Sequence, residues 1–123
     1  MNKRHVVFPW LASLILISGS AATAQDGKFV ILGNGQDTCG EWALYRRDNS
    51  GWQMDVAFVQ GFITAQNFYT ARTGGGRISS EPAEIALWLD SFCIKNPLMH
   101  VFSGAVALVE AKGGPKAPFA WSR

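Results

Sequence analysis

The sequence predicts an all-α fold, a small four-helix orthogonal bundle stapled by one disulfide and preceded by a signal peptide. Three observations support this prediction. Apolar residues repeat at helical spacing, an apolar run near the N-terminus has the form of an export signal, and the chain contains two cysteines. A chain of 123 residues allows one domain.

The first 24 residues have the three parts of a secretory signal peptide. A basic stretch, Asn2–His5, precedes an apolar run, Val6–Ile17, and Ala22–Ala24 provides a small-x-small cleavage pattern. The run is shorter than the ~20 residues that cross a bilayer, which favours a signal peptide over a transmembrane anchor. We expect a periplasmic or secreted protein that begins at Gln25 and has no membrane contact after cleavage.

Removal of the signal peptide changes the charge balance. The full chain has 11 lysine and arginine residues and nine acidic residues, and loss of Lys3 and Arg4 leaves nine of each. A net charge near zero without a basic stripe argues against nucleic acid as a partner. Protonation of all nine carboxylates would bring the net charge to about +9, and self-repulsion of that size could loosen a dimer.

Both cysteines, Cys39 and Cys93, lie in the mature chain. An even cysteine count in an exported chain favours a disulfide over a reactive thiol or a metal pair. Two cysteines and the one mature histidine, His100, do not complete an ordinary zinc site. We therefore predict a Cys39–Cys93 disulfide, no metal and no cofactor. In the loop-entropy model, closing this loop contributes roughly 4 kcal/mol to stability.

The helical domain is predicted to span residues 38–112, between an extended lead-in (25–37) and a flexible tail (113–123). Its first helix runs from Thr38 to Arg47, because Thr38 and Glu41 have the spacing of a capping box. Asp48–Gly51 then forms a turn in which Gly51 is free to adopt positive φ.

The second helix is predicted over Trp52–Ala71, the longest periodic segment. Residues at helical spacing are expected to form its apolar stripe, namely Met54, Phe58, Gly61, Phe62, Ala65 and Tyr69. Gly61 and Ala65 would form a groove for another helix. The polar residues, Asp55 among them, are expected to lie off this stripe.

The third helix carries Ile85, Trp88, Leu89 and Phe92 on one face and ends near Lys95. Its start is predicted at Ser80 as N-cap, with Pro82 in the first turn.

A fourth helix is predicted to begin with Asn96 as N-cap and Pro97 at its first position. Leu98 is expected on its apolar face, which continues with Val101, Phe102, Ala105, Leu108 and Val109. Gly113–Pro115 ends the helix.

Three weak signals are interpreted as structural. Gly33–Gly35 is expected to be a flexible loop rather than a nucleotide-binding turn, because no third glycine or helix start follows it. The Gly74–Gly76 loop is expected to be a mobile linker rather than an anion cradle. His100 is expected to be a surface residue rather than a pH sensor. We find no paired carboxylates or nucleophile–base pair, and we predict that the protein is not an enzyme and has no catalytic residues.

Several short motifs resemble those of a group of small exported proteins of Gram-negative bacteria. They are Cys39-Gly40-Glu41-Trp42, Phe58-Val59-Gln60-Gly61-Phe62, Trp88-Leu89-Asp90-Ser91-Phe92-Cys93 and Asn96-Pro97-Leu98. The pattern Cys-x-x-Trp followed by Trp-x-x-x-x-Cys-x-x-Asn-Pro is similar in layout to the HdeA-type (HdeA/HdeB) periplasmic proteins. The resemblance spans roughly residues 39–112.

The resemblance implies a helical fold with Cys39 and Cys93 as the disulfide pair, and the function of an acid-stress chaperone. HdeA-type dimers part at low pH and expose apolar surface to unfolded client proteins. The partners expected here are therefore other proteins, either unfolded clients or one cognate partner, and a second copy in a homodimer. Aromatic residues are the candidates for protein binding: Trp42, Trp52, Phe58, Phe62, Trp88, Phe92 and Phe102.

A second resemblance is to immunity proteins that neutralise secreted toxins of type VI secretion systems. These proteins have a similar size and a cysteine-bridged four-helix layout. An immunity protein is therefore the alternative function.

Overall fold

A computed structural model describes residues 29–117 and contains four α-helices around one core. They are α1 (Cys39–Asp48), α2 (Trp52–Ala71), α3 (Pro82–Lys95) and α4 (Val101–Ala111), preceded by a short 3-10 turn (Gly33–Gln36). No strand occurs among the described residues. The all-α prediction is confirmed for this part of the chain. The predicted signal peptide (1–24) and most of the predicted tail lie outside the described residues.

The start of α1 is held by the predicted capping box. The Glu41 amide donates to Thr38 Oγ1 at 3.1 Å, and the Thr38 amide donates to Glu41 Oε2 at 2.7 Å. These two bonds satisfy amides that the first turn of a helix leaves without partners. After α1 the chain turns through Asn49 and Gly51, which have φ angles of 51° and 79°.

The bounds predicted for α2 are confirmed, but its predicted apolar stripe is partly wrong. Val56, Val59 and Ile63 are buried, whereas Met54 and Tyr69 are 60% and 69% exposed. Two sets of apolar residues in α2 have helical spacing: the predicted stripe, and the set of Val56, Val59 and Ile63. The contacts with the 3-10 turn and the other three helices select the set that is buried.

The predicted groove at Gly61 and Ala65 is also wrong, because both residues are exposed. A β-carbon at Gly61 would meet no atom within 4 Å. The close helix contact lies instead at Gly104 of α4, where a β-carbon would lie 2.6 Å from Leu89 Cδ2 of α3. The Trp88 indole N–H also donates to the Gly104 carbonyl at 2.9 Å, so α3 and α4 are closely packed at this point.

The N-cap of α3 is Glu81 rather than the predicted Ser80. The Ser80 hydroxyl instead donates to the side chain of Glu84, at Oε2, with a distance of 2.8 Å. The predicted inner face of α3 is confirmed at Ile85 and Leu89, which are fully buried.

The prediction that α4 begins at Asn96 and Pro97 is wrong. Asn96 ends α3, because its backbone amide and its side-chain amide both donate to the Phe92 carbonyl at 2.9 Å. Pro97 and Leu98 lie in a turn, Leu98 is 92% exposed, and α4 begins at Val101 with His100 as its N-cap.

A two-way backbone connection fixes this start. The Cys39 amide donates to the Met99 carbonyl, and the Val101 amide donates to the Asp37 carbonyl, each at 2.8 Å. The chain before α1 is thus joined to the chain before α4.

The loop after α2 is better anchored than a mobile linker. The Asn67 side chain donates to the Ile78 carbonyl at 2.7 Å and accepts from the Ile78 amide at 2.8 Å. Ile78 is buried against the core. The glycines Gly74–Gly76 lie between these anchor points and are exposed.

The predicted disulfide is present between Cys39 of α1 and Cys93 of α3. The two residues are 54 positions apart, and their Cα atoms are 5.0 Å apart. Trp42, one turn after Cys39, is 1% exposed and packs in the same core.

Replacement of both cysteines by serine is expected to lower the free energy of unfolding by about 4 kcal/mol, because the unfolded chain regains the entropy of a long open loop. Urea denaturation monitored by tryptophan fluorescence measures this change. The unsubstituted protein under reducing conditions is the control and should show the same loss. An unchanged urea midpoint in both samples would contradict the prediction.

Gly104→Ala is expected to destabilise the fold by about 1–3 kcal/mol, because the new methyl group has no space between α3 and α4. Gly61→Ala makes the same chemical change on an exposed helix and should stabilise by about 0.5–1 kcal/mol. Thermal melting of both variants tests the pair. Equal effects of the two substitutions would be inconsistent with the packing described.

Candidate functional site

A surface groove lies between α1 and α3, directly over the disulfide. Its volume is about 540 Å³. Both cysteines line it, with residues of α1, α3 and the turn after α3, namely Gly40, Trp42, Ala43, Arg46, Asp90, Ile94 and Pro97. We call it the α1–α3 groove.

A polar cluster is built into the wall of this groove. Arg46 forms a two-point ion pair with Asp90, from Nε to Oδ1 at 3.0 Å and from Nη2 to Oδ2 at 2.9 Å. The Trp42 indole N–H donates to the same Oδ1 at 3.0 Å. The Arg46 guanidinium also lies 4.9 Å from the centre of the Trp52 ring. These contacts hold the side chains in one geometry, as expected for a two-point arginine–carboxylate pair.

The outer part of the groove is apolar and open to solvent. Ile94 in the groove wall is 83% exposed, and Leu98 in the adjacent turn is 92% exposed. Exposed apolar side chains beside a concave surface are typical of contact sites for other proteins. Sequence periodicity missed Leu98 as a surface residue, because it placed Leu98 on the inner face of α4.

The seven aromatic residues predicted to bind protein are not gathered in one place. Trp42 is buried, and the other six are half-buried; five of them pack against the core, and Phe102 packs on the Phe62 ring. Trp42 belongs to the α1–α3 groove, and Trp52 adjoins it through Arg46. Trp88 and Phe92 face α4 near Gly104. The remaining three, Phe58, Phe62 and Phe102, lie on α2 and α4.

Phe58, Phe62 and Phe102 form a second apolar region between α2 and α4, which we call the aromatic surface. The Phe62 and Phe102 rings are 5.5 Å apart and pack edge to face. The chain before α1 lies over this region, since the Phe29 ring is 5.3 Å from Phe102 and Gly35 packs against Phe58. The described part of the lead-in therefore packs on the aromatic residues of α2 and α4.

Asp55 is the main residue that sequence reasoning misplaced. It was predicted off the apolar stripe of α2, yet it is 0% exposed. Asn34 of the 3-10 turn donates from Nδ2 to Asp55 Oδ1 and to Asp37 Oδ2, each at 3.1 Å. Asp55 Oδ2 is buried and has no hydrogen-bond partner among the described residues.

Burial raises the pKa of Asp55 from its ordinary value to about 7. The facing Asp37 raises it further, and the hydrogen bond from Asn34 opposes the increase. No isolated feature of the sequence around Asp55 indicates this environment, because Asn34 lies 21 positions away.

The other candidate features show no sign of a chemical site. His100 is exposed, and its side chain makes no capping bond to α4. Within residues 29–117, no group of three or more His, Cys, Asp or Glu side chains could hold a metal ion. No helix in the same range is long and apolar enough to cross a membrane.

Comparison of the chain with protein-family models, curated proteins and solved structures gives no match. The resemblance to HdeA-type proteins therefore continues to rest on the motifs alone.

Asp90→Ala is expected to lower the free energy of unfolding by about 2 kcal/mol, because Trp42 and Arg46 both lose their acceptor. Urea denaturation measures the change. Asp48→Ala is the control, because Asp48 pairs with Arg47 at 2.8 Å on the exposed surface and its removal should leave stability unchanged. If the two variants were equally stable, Asp90 would not organise the groove.

Proposed function

We propose that this chain is a non-catalytic, periplasmic protein-binding protein, an HdeA-like acid or stress chaperone or a relative of one. The form of the first 24 residues supports export. The Cys39–Cys93 disulfide is consistent with it, since disulfides persist in oxidising compartments. The orthogonal arrangement of the four helices belongs to the same proposal.

The observation that carries the proposal is the α1–α3 groove, with the exposed Ile94 in its wall and the exposed Leu98 in the turn beside it. Ile94 and Leu98 are almost fully exposed. Burial of their side chains against a partner is therefore favourable, by a free energy of about 25 cal/mol per Å² of apolar area. The disulfide and the Arg46–Asp90 pair hold the groove in shape beforehand. An apolar segment of another protein is the occupant that this combination suits.

Two carboxylates support a response to acid. Hydrogen bonds from Thr38 and Lys112 lower the pKa values of Glu41 and Glu84, respectively. A carboxylate with a lowered pKa stabilises the fold above its ordinary pKa, and that contribution disappears as the pH falls through the lowered value.

The Glu84–Lys112 pair connects the start of α3 to the end of α4. Loss of its charge at low pH would therefore loosen contacts between these helices. Loosening would expose Trp88 and Phe92, the two candidate client-binding aromatic residues that face α4 from α3.

The protein is expected to suppress aggregation of an unrelated, acid-unfolded protein at about pH 2–3 and to bind an apolar dye there. Light scattering measures aggregation, and size-exclusion chromatography from pH 2 to 7 reports whether a homodimer dissociates.

The variant Ile94→Ser with Leu98→Ser should reduce suppression severalfold, because it removes the exposed apolar side chains from the groove wall and from the turn beside it. Met54→Ser is the control, since Met54 is 60% exposed on α2 and lies away from the groove. No suppression by the unsubstituted protein at any pH would remove the chaperone proposal.

An immunity protein is the second candidate, because a groove held by a disulfide needs little ordering to receive one fixed partner. In that case the same groove variant would abolish tight binding of a single secreted toxin at neutral pH, and acid would bring no gain in binding.

A further inference from the structure

The chain before α1 covers the aromatic surface. We call residues 29–37 the cover. A β-carbon at Gly35 would lie 2.7 Å from Phe58 Cε1, so only the absence of a side chain allows this approach. The cover carries two exposed apolar residues of its own, Val30 and Leu32, which are 81% and 72% exposed. Its 3-10 turn packs on both α2 and α4.

One side-chain cluster ties the cover to α2. The Asn34 amide group supplies a hydrogen bond to Asp37, within the cover, and a second to Asp55, on α2. We call these three residues the latch. Asn34 Nδ2 has two hydrogens, and both are used in these bonds. The latch therefore has no further donor from Asn34 for Asp55 Oδ2, which is buried and unpartnered.

The protonation state of Asp55 decides whether the latch is satisfied. A protonated Asp55 is neutral and can donate its proton in a hydrogen bond to the facing Asp37 carboxylate. An ionised Asp55 leaves a fully buried charge with one bonded oxygen, opposite a second carboxylate, and burying a charge in this way is strongly unfavourable.

The groups that act on Asp55 come from two elements. They are Asp37 in the cover and Glu41 in α1. Tyr45 of α1 is the neighbouring titratable hydroxyl, and Asp55 and Asp37 both raise its pKa. No positive charge from α3 or α4 acts on Asp55 among the described residues. His100, before α4, acts on Glu41.

We propose that the cover closes over the aromatic surface while Asp55 is protonated and lifts from it when Asp55 ionises. Movement would stop at Asp37, because the backbone on both sides of Thr38 is bonded to residues 99–101. Once uncovered, Phe58, Phe62 and Phe102 would contact apolar segments of client proteins, and this part of the inference rests on the proposed function. The opening and closing of the latch is independent of that function.

The direction of this switch follows from the sign of the shift. Native Asp55 holds its proton up to about pH 7, whereas the unfolded chain loses it near the ordinary value of 3.8. The latch therefore stabilises the fold most in acid, and the stabilisation is lost as the pH rises through about 7. Glu84 behaves in the opposite way, because its lowered pKa stabilises the fold at neutral pH and this stabilisation is lost in acid.

The test is an NMR titration of the Gly35 resonances from pH 5 to 9. The Gly35 α-protons lie against the Phe58 ring, so the ring current displaces their shifts while the cover is closed. The displacement is expected to disappear with a midpoint no higher than about pH 7, because opening of the cover favours the ionised form of Asp55. In Asp55→Asn, which cannot ionise, the Gly35 shifts should stay constant over the whole range.

Asp48→Asn is the matched control, because it removes an exposed carboxylate on α1 and should leave the Gly35 midpoint unchanged. Asp37→Asn removes the carboxylate that faces Asp55 and should move the midpoint to lower pH, which keeps the test open if Asp55→Asn does not fold. Constant Gly35 shifts in the unsubstituted protein, or an identical midpoint in Asp37→Asn, would overturn the latch.

Binding of an apolar dye at pH 5.5 and 8.5 separates this inference from the proposed function. A Gly35 titration together with a severalfold gain in dye binding at pH 8.5 supports the latch and the use of the uncovered aromatic surface as an apolar contact. A Gly35 titration without a gain in dye binding supports the latch and removes the aromatic surface as a contact site. The proposed function fails separately, if aggregation is not suppressed at about pH 2–3.

Discussion

The covalent bond between α1 and α3 is the constraint on which the other contacts depend. Helix α1 has ten residues and buries only Cys39 and Trp42, which is too little to hold an isolated helix of this length. The disulfide keeps α1 beside α3, and only then can Asp90 accept from both Trp42 and Arg46. The α1–α3 groove exists because these two helices are held together at its floor.

The same geometry positions the cover against α2 and α4. Cys39 begins α1, and its amide is bonded to Met99, so the chain immediately before it is brought against α4 and α2. Gly35 can then pack on Phe58, and Asn34 reaches Asp55. The two apolar regions of the molecule are thus connected through the residues around Cys39.

Acid and base act on different parts of this structure. Exposed carboxylates such as Glu84 have lowered pKa values and stabilise the fold at neutral pH. Asp55 has a raised pKa and stabilises it in acid. Under the two proposals, acid weakens the contact between α3 and α4 while the protonated latch keeps the cover closed. The surface proposed to respond to acid is therefore on the α3–α4 side rather than beneath the cover.

The sequence by itself determined the features that depend on residues close together in the chain: the capping box of α1, the ends of α2, the inner face of α3 and the presence of two pairable cysteines. Only the tertiary structure decided that Asp55 is buried, that Leu98 is exposed and that α4 begins at Val101. The reason is that each of these depends on a partner distant in sequence. Asn34 lies 21 positions before Asp55 and reaches it only in the folded chain. The backbone hydrogen bonds between residues 37–39 and 99–101 determine where the last helix starts.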